Sequence, residues 1–207
     1  MVPIYSLNKA RFGTHRLIAQ ELGSGHNILD VGCNKGYLKT LANDNYFYGI
    51  DINSKDLTHA KKLGYKKVYK LDLNNYKSFI ATNKFDIIVF ADILEHLLYP
   101  DKVLPYFVNN YLKRTGKIII SLPNVANFYI RFNLLIGNFD YTDCGILDRT
   151  HLHLYTIKSA KELIERCNLK IIKVKYSSNF FGKIIKTLPF LGPLFGYNLI
   201  FICQQKS

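Results

Sequence analysis

Several familiar signatures are missing from this 207-residue chain, and each absence narrows its chemistry. The four cysteines, Cys33, Cys144, Cys167 and Cys203, form no Cys-x-x-Cys pair. Neither a zinc knuckle nor a disulfide framework is indicated, and small buried thiols in a reducing compartment are the expectation. No Gly-x-x-x-x-Gly-Lys-Ser/Thr occurs, which excludes a P-loop. The dinucleotide fingerprint Gly-x-Gly-x-x-Gly fails too, because Asn34 and Tyr37 stand where it needs glycine after Gly32. The opening residues Met1 to Lys9 hold no apolar run of signal-peptide length, so a cytoplasmic protein is expected. Acidic residues are also missing from one end. Between Arg166 and Ser207 there is no Asp or Glu against seven cations: Arg166, Lys170, Lys173, Lys175, Lys183, Lys186 and Lys206. With a formal net charge of +13, the chain suits an anionic partner such as nucleic acid, a phosphorylated substrate or a membrane surface. A solvated lysine-rich face is the plainer alternative.

What is present has an α/β rhythm. Apolar strand-like runs recur at Asn27 to Val31, Tyr46 to Ile50, Lys67 to Leu71, Phe85 to Phe90, Lys117 to Leu122, Lys170 to Tyr176 and Tyr197 to Cys203. Most of the first five are continuously apolar at their centres, as in strands covered on both faces of a parallel, doubly wound sheet. Helices are expected at Arg11 to Leu22, Tyr37 to Asn43, Lys55 to Leu63, Asp101 to Leu112 and Ile157 to Cys167. Thr156 is placed to cap the last, and Gly64 and Gly116 to stop two others. The length and 48% hydrophobic content support one domain spanning residues 1–207. Two connections are longer than usual, at about 123–155 and 177–196, and such segments are often lids or binding elements at the carboxyl edge of the sheet.

The stretch Leu29 to Leu38, "LDVGCNKGYL", ends an apolar strand in a carboxylate and opens into a glycine loop. Its pattern Asp30-x-Gly32-x-Asn34-x-Gly36 resembles motif I of the class I S-adenosylmethionine-dependent methyltransferases, with Asn34 in place of the middle glycine. Asparagine tolerates a left-handed backbone, so the turn survives the change. Asp51 ends the second strand fifteen residues after Gly36, and Asp72 ends the third in "VYKLDLNN". The fourth strand, "FDIIVFADILEHL", matches the family's next motif. The resemblance implies a Rossmann-like α/β fold with a seven-stranded, mostly parallel sheet and helices on both faces. It implies that Asp30, Gly32, Cys33, Asn34 and Gly36 hold S-adenosylmethionine. Asp51 and Ile52 would serve its ribose, Asp72 and Leu73 its adenine, and Ala91 the wall formed by the fourth strand.

The likeness continues through Ser121 to Thr156. Its Pro-Asn, Arg, Leu-Leu-x-Gly, Gly-x-Leu-Asp-Arg-Thr-His and Tyr-Thr elements resemble a methyltransferase subfamily associated with polysaccharide and lipid biosynthesis. Methylation of an oxygen needs a base or metal beside the acceptor. His151 is the first choice for that base and His96 the second, with Glu95 beside it; each histidine equally reads as a packing residue. Asp92, Glu95 and His96, joined by His151, resemble the Glu-x-x-Glu-His set of metal-assisted relatives, including ubiquinone-pathway O-methyltransferases. Oxygen and imidazole ligands suit magnesium or manganese.

In the last long connection, "NFFGKIIKTLPFLGPLFG", Pro189, Gly192, Pro193 and Gly196 leave no uninterrupted apolar run of about 20 residues, so a spanning helix is not expected. Two readings remain: an interfacial hairpin on anionic lipid, with its apolar side chains from Phe180 to Phe195 turned outward, or a lid over the active site. Together these features lead to an expected methyltransferase acting on an oxygen of a sugar, polyprenyl-linked or lipid-like small molecule, in the cytoplasm or peripherally at the membrane. An RNA ribose 2′-O-methyltransferase is the alternative enzyme, although no RNA-binding module is recognisable. A non-catalytic cofactor-binding regulatory protein is the alternative outside enzymes. The oligomeric state is not legible.

Overall fold

The computed structural model describes residues 10–178 and 180–206, so the expectation drawn from Met1 to Lys9 lies outside the described residues. Seven strands form one sheet: β1 (Asn27–Val31), β2 (Tyr46–Asp51), β3 (Lys67–Lys70), β4 (Phe85–Ala91), β5 (Leu112–Pro123), β6 (Leu169–Tyr176) and β7 (Asn198–Gln205). Their order is β3-β2-β1-β4-β5-β7-β6. The first five pair in parallel, while β7 runs antiparallel to both β5 and β6. All seven expected strands are present within a residue or two of their expected bounds, except β5, which begins earlier in a bulged segment.

Alternation along the central strands explains their unbroken apolar sequence. Leu29, Val31, Ile88, Phe90, Ile118 and Ile120 point to one face, where they pack against Val103, Leu104, Phe107, Leu163 and Ile164. These five belong to α4 (Pro100–Tyr111) and α6 (Ile157–Arg166). Ile28, Ile87, Val89 and Ile119 point to the other face, against Leu17, Ile18, Leu22, Leu38, Leu57 and Ala60. Those residues lie on α1 (Thr14–Leu22), α2 (Tyr37–Leu41) and α3 (Ser54–Lys62). Both faces are therefore apolar, as a doubly wound sheet requires.

Local signals set several boundaries. The Thr156 side chain accepts a hydrogen bond from the Ser159 amide, and the Ser159 hydroxyl accepts one from the Thr156 amide, which closes a capping box on α6. Gly64 stops α3 with φ 98°. Gly116 does not stop α4, which ends at Tyr111; it lies instead in the bulged start of β5. The basic C-terminal region is partly neutralised by the fold itself. On edge strand β6, Lys173 and Lys175 reach Glu21 of α1 at 2.8 and 2.9 Å. Burial pushes the Glu21 carboxyl up, but the hydrogen bonds from these lysines outweigh it and hold the group below its usual range.

Three helices were not legible in the sequence: α5 (Phe128–Leu135) in the first long connection, and α7 (Gly182–Thr187) and α8 (Gly192–Phe195) in the second. In α5, "FYIRFNLL", apolar residues fall on almost every side, so no helical stripe stands out. Of the cysteines, Cys33, Cys167 and Cys203 are buried as expected, but Cys144 is exposed.

Candidate active site

The glycine loop that follows β1 turns through three left-handed residues: Gly32 (φ 77°), Asn34 (φ 46°) and Gly36 (φ 79°). Asn34 adopts the conformation expected of it, and its side-chain oxygen accepts from the Lys35 amide at 2.8 Å. The Gly32 and Cys33 amides donate to the Ile50 carbonyl at 2.8 and 2.9 Å, fastening the loop to β2. A side chain at Gly32 would come within 2.6 Å of Ile93, and one at Gly36 within 2.7 Å of Tyr65 and 2.9 Å of the Ala60 backbone. Only glycine lets the loop lie this close to its neighbours. Asp51 completes the clasp, accepting from the Asn34 amide (2.8 Å) through one carboxylate oxygen and from the Asn53 amide (2.9 Å) through the other.

Above this loop lies a cavity of about 320 Å³. Of the expected cofactor residues, Asp30, Gly32, Cys33, Asn34, Asp51 and Ala91 line it, and so do Asp92 and His96. Gly36, Ile52, Asp72, Leu73, Glu95 and His151 are not among the described residues lining it. Ile52 is 61% exposed, and Leu73 is buried in the core beside α4. Asp72 is exposed, and its carboxylate accepts from the Asn74 amide at the start of a 3-10 turn over residues 73–78.

Asp30 is 2% exposed and accepts a 2.6 Å hydrogen bond from the Tyr65 hydroxyl. Burial raises its carboxyl to about 7, with the nearby Asp51 charge adding to the rise and Tyr65 opposing it. Near neutral pH, Asp30 therefore sits between its charged and neutral forms. Tyr65 was not singled out from the sequence, because its position relative to Asp30 depends on how α3 returns to β3.

Asp92, with φ 50°, follows β4. One of its carboxylate oxygens accepts from the Ser121 hydroxyl (2.6 Å) and from the Asn198 side-chain amide (2.9 Å). The Asn198 side-chain oxygen accepts in turn from Thr14 and Ser177, each at 3.1 Å. Beside this junction, His15 of α1 lines the cavity. Its Nδ1 is buried without a hydrogen-bond partner among the described residues. Burial lowers its pKa, against a smaller opposing pull from Asp92. Its only sequence signal is its place one residue beyond Thr14 and next to the buried positions 17, 18 and 22 of α1.

Glu95, His96 and His151 form a second layer. The Nδ1 of His96 lies 3.1 Å from the Thr150 hydroxyl and 3.2 Å from the Thr150 carbonyl, which leaves Nε2 for the cavity. Burial, then the neighbouring His151, hold His96 below the ordinary histidine range. The His151 ring packs edge-on against His96 with centroids 4.7 Å apart. Its Nδ1 donates to the Ile146 carbonyl at 3.0 Å, and its Nε2 lies 4.0 Å from Glu95. Glu95 is 1% exposed, and neither carboxylate oxygen has a hydrogen-bond partner among the described residues. Burial, with contributions from Asp92 and Asp148, pushes its carboxyl well up. One ligand atom from each of Glu95, His96 and His151 lies within 4.8 Å of the others. Asp92, expected as a fourth ligand, is not part of that group; Ser121 and Asn198 hold one of its carboxylate oxygens.

Comparison with known proteins agrees with this geometry. A family model described as "Methionine biosynthesis protein MetW" matches residues 13–197. The ubiquinone biosynthesis O-methyltransferase of Glaesserella parasuis is 28% identical over 162 residues, covering 73% of this chain and 66% of that protein. This chain thus spans just under two thirds of that relative's length. Among solved structures, a methyltransferase dependent on S-adenosylmethionine from Archaeoglobus fulgidus superposes with a TM-score of 0.61 at 18% identity, covering 93% of this chain and 95% of that one. Magnesium protoporphyrin IX methyltransferase from Synechocystis PCC 6803, bound to SAH, gives 0.62 at 18% identity, covering 92% and 78%. At these identities, the solved structures establish the fold.

The state of Asp30 has a measurable consequence for stability. An unfolded chain ionises this carboxyl near its ordinary value of 3.8, while the folded chain keeps the proton up to about 7. Raising the pH through that window therefore favours unfolding. Asp30→Asn removes the titration and keeps an acceptor for Tyr65. Its stability advantage over wild type should be absent near pH 4 and grow to roughly 3–4 kcal/mol by pH 7. Denaturant melts at several pH values measure the difference, and a gap independent of pH would mean that Asp30 titrates normally.

Proposed function

The chain belongs to the MetW family and has the class I S-adenosylmethionine-dependent methyltransferase fold, and on that footing we propose that it transfers a methyl group from S-adenosylmethionine to an oxygen of a sugar, polyprenyl-linked or lipid-like acceptor. The observation that carries this reading is the left-handed glycine loop clasped by Asp51, on the rim of a cavity that also holds His96. The tight backbone and the carboxylates suit a ligand bearing a cation and a ribose better than one bearing phosphates. S-adenosylmethionine, when bound, supplies an electrophilic methyl group on a sulfonium. Asp51 keeps free lone pairs beyond its two backbone bonds and is placed to accept from ribose hydroxyls. Asp30, ionised in part at neutral pH, favours the positive charge.

Of the two histidines, His96 is the better placed base. It lines the cavity, and its lowered pKa keeps Nε2 unprotonated and able to take a proton from an acceptor hydroxyl at neutral pH. His151 lies behind it, orientated by Ile146 and facing Glu95, and serves as a positioning residue. The RNA reading keeps the same base with a ribose hydroxyl as acceptor.

A divalent cation, magnesium or manganese, gives a second reading of the same pocket. It is favoured by the Glu95 carboxylate, which is buried with both oxygens unpartnered among the described residues. Glu95, His96 and His151 would hold such an ion, whose chemistry is to polarise an acceptor oxygen.

Three outcomes test these assignments. Asp51→Ala should weaken S-adenosylmethionine binding by roughly 1.5–3 kcal/mol, about ten- to a hundred-fold, in calorimetry. Unchanged affinity in a folded variant removes Asp51 from the site. In a labelled-methyl transfer assay over glycan, lipid and RNA fractions of cell extract, His96→Ala should lower turnover by about 10²–10⁴-fold while leaving cofactor affinity intact. Label entering only RNA would replace the acceptor class, and no transfer to any fraction would favour the non-catalytic reading. Manganese titration monitored by electron paramagnetic resonance separates the metal reading from the metal-free one. Tight binding to wild type that is lost in Glu95→Gln supports a cation, whereas no binding leaves Glu95 as a buried neutral acid.

A further inference from the structure

The two long connections meet as one apolar face. Among the described residues of α5, Ile130 alone is classed as buried, while Tyr129, Phe132, Leu134 and Leu135 are exposed, Leu135 to 82%. From the second connection Phe180, Ile184, Leu188 and Phe190 turn outward, Phe180 to 89% and Phe190 to 74%. This corrects the expectation that the whole stretch from Phe180 to Phe195 faces out. Phe181 and Phe195 stack on each other at 4.5 Å and pack against Phe128 of α5 at 5.2 and 5.5 Å. Ile185 is buried. The Asn124 and Asn127 side-chain amides also donate to the Gly196 carbonyl at 3.0 and 2.9 Å. The outward side chains therefore stand on a packed base, in fixed relation to one another.

A surface helix of a globular protein ordinarily hides one stripe and shows water a polar one, whereas α5 shows apolar side chains around most of its circumference. A contiguous face of this kind marks an interaction surface. Its charge points to the occupant. Arg131 on α5 and Lys183 and Lys186 on α7 are exposed; the exposed Asp140 shares a pocket with Tyr129 and Asn133 of α5, but no Asp or Glu occurs after Glu165, so the second connection carries cations alone. A second copy of the chain would bring the same net charge of +13 and be repelled, whereas an anionic surface would be attracted. No helix among the described residues is long and apolar enough to cross a membrane, which fits a surface that lies on the bilayer.

We propose that α5 and the connection carrying α7 and α8 form a docking face for an anionic lipid bilayer, with the large apolar side chains in the headgroup zone and the lysines on lipid charge. The docking face stands apart from the chemistry of the cavity. Its corollary rests on the proposed function: the methyl acceptor is a membrane-anchored molecule presented at the same edge of the sheet.

Vesicle flotation tests the proposal. The wild-type chain should rise with phosphatidylcholine vesicles containing phosphatidylglycerol at low salt, at least about tenfold more than with phosphatidylcholine alone, and should be released as salt is raised. The Leu135→Asp, Phe190→Asp double variant should lose at least about tenfold of this binding while keeping its affinity for S-adenosylmethionine, since neither residue lines the cavity. Lys183→Glu with Lys186→Glu should abolish the preference for the anionic lipid. Wild type that stays unbound at low salt overturns the proposal, as does a double variant that floats like wild type. A dimer in sedimentation equilibrium that the double variant abolishes would reassign the face to self-association and overturn it as well. Flotation without any affinity for S-adenosylmethionine would sink the proposed function and leave the docking face standing.

Discussion

The carboxylate of Asp92 is the tie on which the site depends. Ser121 from β5 and Asn198 from β7 grip it in a left-handed turn, and Asn198 extends the grip to Thr14 of α1 and to Ser177. Five separate parts of the chain are thereby joined through satisfied polar groups in a mostly buried setting, where an unpaired member would be costly. The turn that follows fixes the cavity wall. It sets Ile93 against Gly32 and His96 toward the open space, while α1 is anchored with His15 lining the same cavity. Asp92 thus holds the architecture together.

That architecture gathers acids in an otherwise basic protein. Asp30, Asp51 and Asp92 all border one cavity, and the chain as a whole carries +13. Burial, more than the neighbouring Asp51 charge, keeps Asp30 partly protonated at neutral pH. Burying a carboxyl beside a second acid costs stability, and sites that work are often where stability is forgone.

Much of this was legible from the sequence, and the boundary of legibility has physical causes. The strands could be read because burial on both faces leaves continuous apolar runs bounded by loop residues, and Asn34 because a left-handed turn favours asparagine, whereas Asp30 and Asp51 were found through the resemblance to a family motif. Helix α5 escaped because its apolar residues cover most of its circumference and carry no period. The relation between His96 and His151 also escaped. Which of two histidines faces a cavity is decided by packing between segments 54 residues apart, and the sequence alone ranked them the other way. His15, Tyr65 and the partners of Asp92 belong to the same class, since each acquires its meaning from a residue distant in the chain. Leu73 shows the converse: its place in the motif order points to a ligand, but its side chain completes the core beside α4.

The direction of β7 explains why the apolar face and the cavity share an edge. Pro123 at the end of β5 pairs with Asn198 at the start of β7, and Tyr176 at the end of β6 pairs with Leu199. Because β7 runs against both neighbours, the connection leaving β5 and the one joining β6 to β7 must both emerge at the carboxyl edge of the sheet, where the glycine loop also lies. A parallel β7 would have required the second connection to cross back to the opposite edge. With both long segments confined to one edge, Phe128, Phe181 and Phe195 can meet, and the outward side chains of the two segments become neighbours. A reversed last strand thus brings the apolar face of the two long segments to the same edge of the sheet as the glycine loop and its acid-lined cavity.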